Sequence, residues 1–257
     1  MASVRRRALR AGAGAVETLT AGGEGRVLAW FPRACYLEGS GGLVTLVGPG
    51  VHDGPLYLVL DGDLPRFDAG TSATLSPDTV ELPGWTVDVT DATPWRGGLL
   101  EPDRIGAAAG SVADAAAEVA GGALLPRAGF EARPLVERGE LEAAAALLAG
   151  LGPGLTPSGD DVLGGVLFAR RILAGSKEES RLAAVAESVR TNTIARAFLR
   201  WAARGQALSP VHDLVAAAVH GDDRQARGAA RALAAVGESS GADFALGLRW
   251  GIVVPSL

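Results

Sequence analysis

The chain has 257 residues, a formal net charge of −5 and one cysteine, Cys35. That length suits one large domain or two small ones. The acidic balance argues against a general nucleic-acid-binding surface, and a single thiol excludes a disulfide framework or a thiolate metal site.

Apolar residues make up 48 % and aromatic residues only 5 %, so the core must be built from Ala, Leu and Val, with close contacts at the 36 glycines. Lys177 is the sole lysine, and arginine abundance follows the same compositional bias as Ala and Gly. His52, His212 and His220 never fall at a metal-ligand spacing. No apolar run reaches a membrane span, and Arg5-Arg6-Arg7 is not followed by a signal-peptide h-region. The expected compartment is the cytoplasm.

In chain order, residues up to about 15 read as frayed or loosely attached. From Val16 to about Val89 the signals are short and strand-like: Arg26–Phe31, Ala34–Leu37, Leu43–Val47, Leu56–Leu60 and Trp85–Val89. Each is rich in Val, Leu or aromatics and bounded by Gly, Pro or Asp. From about Arg104 alanine dominates and the period becomes helical. Helices are expected near Gly106–Ala120, Pro134–Ala149, Asp160–Leu173, Glu178–Arg190, Ile194–Arg204, Pro210–Val219, Asp223–Val236 and Ala242–Ile252. Ser209-Pro210 reads as an N-cap and first helical position, Asp222 as the next cap, and Gly237 as a C′ glycine. The fold class is α+β. A mainly antiparallel sheet or small barrel in residues 1–104 precedes a mostly helical region in 105–257, and the two halves are free to share one core.

The most distinctive stretch is Gly150-Leu-Gly-Pro-Gly-Leu-Thr-Pro-Ser-Gly-Asp-Asp-Val-Leu-Gly-Gly165. It is a glycine- and proline-rich loop feeding a helix N-terminus, where unpaired N–H groups and the helix dipole suit an anion or a polar small molecule. Part of it recurs. Ser158, Gly159, Asp161 and Gly165 have counterparts at identical offsets in Ser240, Gly241, Asp243 and Gly247, an S-G-x-D-x-x-x-G repeat. The plain reading of Ser158 with Asp161, and of Ser240 with Asp243, is a variant capping box. Capping leaves Asp160 over, and it leaves Gly165 and Gly247 unexplained, each costing its helix about 1 kcal/mol relative to alanine. Packing of the two repeat helices through these glycines would bring both starts to one cleft; compositional bias is the plain alternative. Were Asp161 to face back as a cap, Asp160 would face a ligand. Paired acids at that spot favour an amide NH₂, a divalent cation, or an arginine placed before an anion.

Thr191-Asn192-Thr193, with Arg196 a turn later, can cap the helix that follows or bind a carboxylate or phosphate. His52-Asp53 precedes a strand and reads first as a turn. Glu238 is either a ligand or a solvated acid. Gly152-Pro153-Gly154 is neither a P-loop nor a dinucleotide fingerprint, and no nucleophile elbow occurs.

The 150–165 motif resembles the signature of the AllH-type family, named for a subunit of oxamate carbamoyltransferase. Gly54-Pro55-Leu56, Thr191-Asn192-Thr193-Ile194 and Val236-Gly-Glu-Ser-Ser-Gly-Ala-Asp243 extend the resemblance over about residues 25–253. Asn192 and Ala195 stand where Thr and Ser are expected, Glu238 where His is frequent and Ala242 where Trp is frequent. The resemblance implies carbamoyl transfer between oxamate and phosphate, in company with FdrA-type and AllG-type subunits. On this reading Asp160 and Asp161 are the catalytic candidates. Gly152, Gly154, Thr156, Ser158, Gly159, Thr191, Asn192, Thr193, Glu238, Ser239, Ser240, Gly241 and Asp243 line a substrate site. Two other readings stay open: a non-catalytic binding or scaffold subunit, and a Mg²⁺-dependent enzyme on another nitrogen-rich metabolite using Asp160, Asp161 and Asp243. No cofactor is otherwise implied. A small-molecule substrate is expected and neither nucleic acid nor membrane is; a homo-oligomer stays open.

Overall fold

The computed structural model describes residues 4–253. It divides into two compact units, Met1–Gly97 and Gly98–Leu257.

The first unit is a mixed barrel-like sheet. Its strands are β1 (Val4–Gly12), β2 (Gly23–Phe31), β3 (Ala34–Gly39), β4 (Gly42–Val47), β5 (Tyr57–Leu60), β6 (Ser72–Leu75), β7 (Thr79–Leu82) and β8 (Trp85–Asp88), in the order β5-β4-β3-β2-β6-β7-β8-β1. An antiparallel pairing of β1 with β5, Ala8 opposite Leu60 and Ala11 opposite Leu58, closes the ring. The β1–β8 and β4–β5 pairs are parallel and the others around the ring antiparallel. A short β9 (Thr93–Trp95) pairs with the end of β1. Closure at eight strands removes sheet edges and leaves an interior that side chains alone can fill. Val27, Leu37, Val44, Leu46, Leu58, Leu60, Val80 and Val87 do so, each buried. Burial also pushes the Cys35 thiol up to about 12, so it is a packing residue and not a nucleophile.

The expected sheet is present, and all five predicted strands lie in it. The expectation of a loose N-terminus is corrected. Residues 1–3 lie outside the described residues, but Val4–Gly12 is the strand that closes the barrel, and Ala13–Ala21 forms a helix, α1. Only Ala8, Ala11 and Gly12 of β1 face inward fully, among four arginines. Two small alanines carry little strand propensity; hydrogen bonding along both edges, which is tertiary, makes the strand. The start of α1 is likewise held from afar, by Gly14 and Ala15 N–H groups donating to the Pro55 carbonyl at 2.7 and 3.0 Å.

The second unit is helical: α2 (Pro102–Ala107), α3 (Ala109–Ala120), α4 (Ala132–Glu137), α5 (Leu141–Leu148), α6 (Ser158–Ala174), α7 (Glu179–Ser188), α8 (Thr193–Ala203), α9 (Ser209–His220), α10 (Asp223–Ala234) and α11 (Ser240–Ile252). The predicted helix from Pro134 is split at Gly139, whose φ of 75° is left-handed. Asp222 caps α10 through Gln225 N at 2.9 Å, and Gly237 follows α10 with φ 62°. Three expected serine caps are corrected. Pro157, Leu208 and Ser239 stand at the N-cap positions of α6, α9 and α11, so Ser158, Ser209 and Ser240 are already helical, and none of the three caps makes a side-chain bond.

Helix α6 is the centre of this unit. Val162, Leu163, Val166, Leu167, Phe168 and Ala169 are all at most 1 % exposed, which no one-sided helix could achieve. Its closest neighbour is α11, and the contact runs through glycine. A Cβ at Gly165 would overlap the Phe244 carbonyl and lie 2.6 Å from Leu248 N; a Cβ at Gly247 would overlap the Val162 carbonyl. Further along, a Cβ at Gly251 would sit 2.7 Å from Ala169 Cβ. Low numbers meet low and high meet high, so the helices run side by side in one direction. Since 165 corresponds to 247 and 162 to 244 in the repeat, the contact is reciprocal, as a local pseudo-two-fold axis requires.

Gly247→Ala is therefore expected to destabilise the protein by about 3 kcal/mol, through overpacking of two backbones. Gly228→Ala, in α10 with nothing within 4 Å of the added methyl, is expected to stabilise by roughly 0.5–1 kcal/mol. Denaturant melts of the two variants decide the point; equal effects would remove the glycine contact from the account.

Candidate functional site at the paired helix starts

The repeat is larger than its motif. Each copy begins with the preceding helix. Leu151 N donates to Leu148 O at 3.0 Å, as Val236 N does to Leu233 O at 3.0 Å. Gly159 N then donates to Leu151 O at 2.8 Å, and Gly241 N to Val236 O at 3.1 Å. A Cβ at Gly159 would overlap Leu148 O, and one at Gly241 would overlap Leu233 O. Ala144, Ala145 and Leu148 of α5 thus match the buried Ala229, Ala230 and Leu233 of α10. The first linker, from Leu151 to Gly159, is three residues longer than that from Val236 to Gly241. That insertion hides the relation from an ungapped comparison. Leu-Ala-Gly-Leu-Gly (148–152) beside Leu-Ala-Ala-Val-Gly (233–237) is the signal that finds it.

The longer linker has three left-handed glycines, Gly150, Gly152 and Gly154, at φ 71°, 114° and 95°. Side chains are rarely tolerated there. Gly152 also passes close to the start of α6, where its added Cβ would be 3.1 Å from Ser158 N. The packing of α6 on α11 brings this linker to the second start, and the Thr156 and Ser240 hydroxyls lie 3.1 Å apart.

The two adjacent acids divide the work in the reverse of the expected way. Asp160 is 3 % exposed and both its oxygens are taken. Oδ1 accepts from Gly150 N at 3.0 Å and Oδ2 from the Thr191 hydroxyl at 2.5 Å. It ties the base of the linker to the α7–α8 connection and has no oxygen free to face a ligand. Burial raises its pKa, against those two hydrogen bonds. Asp161 faces the other repeat. Ser240 and Thr156 hydrogen-bond to it, and its Oδ2 is buried without a partner. Its pKa stands well above the ordinary carboxylate range, first from burial, then from the nearby charges of Asp243 and Asp160. The hydroxyls of Thr156 and Ser240 touch each other and both touch Asp161.

Asp243 is wholly buried. Oδ1 accepts from Leu124 N at 2.9 Å, and Oδ2 has no partner. Leu124 carries no sequence signal for this role, because the donor is its backbone. Ser158 and Gly241 are buried at the helix starts, Ser239 is half-buried, and Glu238 and Thr193 are exposed. Asn192 caps α8 through Ala195 N at 3.0 Å. Arg196 Nη2 donates to the Val189 and Thr191 carbonyls at 3.1 and 3.2 Å, bracing the same connection. In the barrel unit the Asp53 carboxylate pairs with Arg10 Nε. His212 is half-buried and neutral, its pKa pushed down to about 4 by desolvation; Nε2 accepts from Ala207 N, which leaves Nδ1 to donate to Gly98 O.

The acids do not form the magnesium site envisaged for Asp160, Asp161 and Asp243. Among the described residues no group of three or more His, Cys, Asp or Glu could hold a metal ion. Asp160 spends both oxygens on protein donors and Asp243 spends one.

A raised pKa has a definite sign. Asp161 favours the fold most when protonated, below its ordinary unfolded value of 3.8, and that stability is lost as pH rises through the higher folded value. Asp161→Asn, which cannot ionise, is expected to melt higher than the parent at pH 8, with the gap closing toward pH 5. Melting curves at the two pH values check this; an Asn variant that is no more stable at pH 8 would refute it.

No helix among the described residues is long and apolar enough to cross a membrane. Neither curated proteins nor solved structures give a match to this chain. The sequence that runs from the end of α5 through both glycine-bound helices does match: residues 148–252 fit the family described as oxamate carbamoyltransferase subunit AllH, which is the family the 150–165 motif resembles.

Proposed function

We propose that this chain is a subunit of an oxamate carbamoyltransferase whose cleft between the starts of α6 and α11 binds the carbamoyl end, –CO–NH₂, of the substrate. The observation that carries the reading is the half-buried Asp161 carboxyl, hydroxyl-bonded on one side and with Oδ2 buried and unpartnered. A neutral carboxyl is both donor and acceptor. It matches a primary amide with two antiparallel hydrogen bonds, O–H to the carbonyl oxygen and C=O from the N–H. A bare carboxylate offers no hydrogen to the acceptor half, and the charges reaching Asp161 are those of two further acids. Oxamate, oxalurate and carbamoyl phosphate all carry the –CO–NH₂ group.

The reaction asks for little covalent help from the protein. In the direction from oxalurate, a phosphate oxygen bonds to the carbamoyl carbon and the bond from that carbon to the oxamate nitrogen breaks. The proton of hydrogen phosphate ends on the departing nitrogen. Holding the two small molecules in line and steadying the carbonyl oxygen near two helix N-termini supplies the catalysis. Asp161, Thr156 and Ser240 are the groups in contact with the carbamoyl unit. Ser158 and Asp243 shape the floor, and Asp160, Thr191 and Gly150 fix the linker. A subunit acts with others; FdrA-type and AllG-type chains are the partners this reading names.

Calorimetry on the purified chain tests it with two near-isosteric anions. Oxamate is expected to bind at least tenfold more tightly than oxalate, which has oxygen in place of NH₂; one tenfold step is about 1.4 kcal/mol, the size of one good buried hydrogen bond. Oxamate affinity should fall as pH rises through the Asp161 transition. Asp161→Ala should abolish binding, and Asp161→Asn should retain it without the pH dependence. Equal binding of oxalate and oxamate, or an Asp161→Ala variant that binds normally, would sink the proposal.

A further inference from the structure

We infer that Asn192 is a positioning residue for this cleft, holding the long linker so that Thr156 meets Asp161; the inference rests on the function proposed above. One side-chain amide does two jobs. Its Oδ1 accepts from Ala195 N and caps α8. Its Nδ2 donates at 2.9 Å to the carbonyl of Leu155, the residue before Thr156. Among the described residues this is the one hydrogen bond made by the backbone of residues 152–156, since the other ties of the linker lie at Gly150, Leu151 and from Pro157 onward. The span it holds contains the left-handed Gly152 and Gly154, and an added Cβ at Gly154 would meet nothing within 4 Å. Packing therefore does not fix the tip of the linker. The second copy of the repeat, three residues shorter, needs no such tie.

The connection to the site is short. Leu155 O is set by Asn192, and the hydroxyl of the next residue lies 3.1 Å from Ser240 Oγ and beside Asp161. The connection bearing Asn192 is itself fixed, because Thr191 is bonded to Asp160 and its carbonyl to Arg196. The anchor is rigid and the loop it holds is not, which is the arrangement a positioning contact requires.

Asn192→Asp separates the two jobs. Aspartate keeps the cap acceptor, and its charge suits a helix N-terminus, but it cannot donate to Leu155 O. Its melting temperature is expected to stay within about 2 °C of the parent, as for exchange between equivalent caps. Amide hydrogen exchange in residues 150–157 should speed up while α8 keeps its protection, and oxamate affinity should fall about three- to tenfold, the loss of one exposed hydrogen bond. Asn192→Ala should lose melting temperature as well as affinity. Unchanged exchange in 150–157 would overturn the clamp. Faster exchange with unchanged oxamate affinity would overturn its role in the site. If the parent protein binds no oxamate, the proposed function fails, and the positioning role fails with it; exchange then reports the clamp alone.

Discussion

The helical half of this protein depends on two helices meeting backbone to backbone. Gly165 and Gly247 each face a carbonyl of the other helix, so no side chain separates α6 from α11. Each glycine costs its helix about 1 kcal/mol in propensity. The return is proximity. With the helix axes this close, the residues at their two starts share one small space, and Thr156 touches Ser240 across 84 residues of chain. An alanine at either position would push the helices apart.

That proximity explains why adjacent aspartates behave so differently. Successive helical positions point about 100° apart. Asp160 turns toward the linker base and the α7–α8 connection, where two donors complete it. Asp161 turns toward α11, where it finds two hydroxyls and another acid but no basic group among the charges that shift it. One carboxylate is a structural tie. The other has its pKa raised by burial and by its acidic neighbours, a shift that costs stability as pH rises. A buried polar atom without a partner is rare in native proteins; Asp161 and Asp243, at equivalent positions of the two copies, each have one.

The duplication gives the paired helix starts their plan. Both copies bring a helix, a left-handed glycine and an S-G-x-D start, and both glycines after the serines are needed because the preceding helix end lies on them. The copies have diverged at the linker. The first is longer, carries Thr156 and is tied by Asn192; the second is short and carries Ser239 at its N-cap. An approximately symmetric pair of helices thus carries two different linkers.

The sequence by itself determined the class of fold, most of the helices, the repeat and the glycine contact between its two helices, because each is written as local periodicity or as identical offsets along the chain. It also picked out the segment that bears the family match. Tertiary structure decided the rest. Val4–Gly12 is a strand only because the far-off β5 and β8 pair with it, so its arginine-rich sequence read as loose. Ser158 and Ser240 sit one position inside their helices, which chain ends cannot reveal to a single residue. Most of all, which aspartate faces the linker base and which faces α11 follows from the rotation of α6 against α11. That rotation is fixed by two glycine contacts between segments 82 residues apart, and no local signal distinguishes Asp160 from Asp161 before those contacts form.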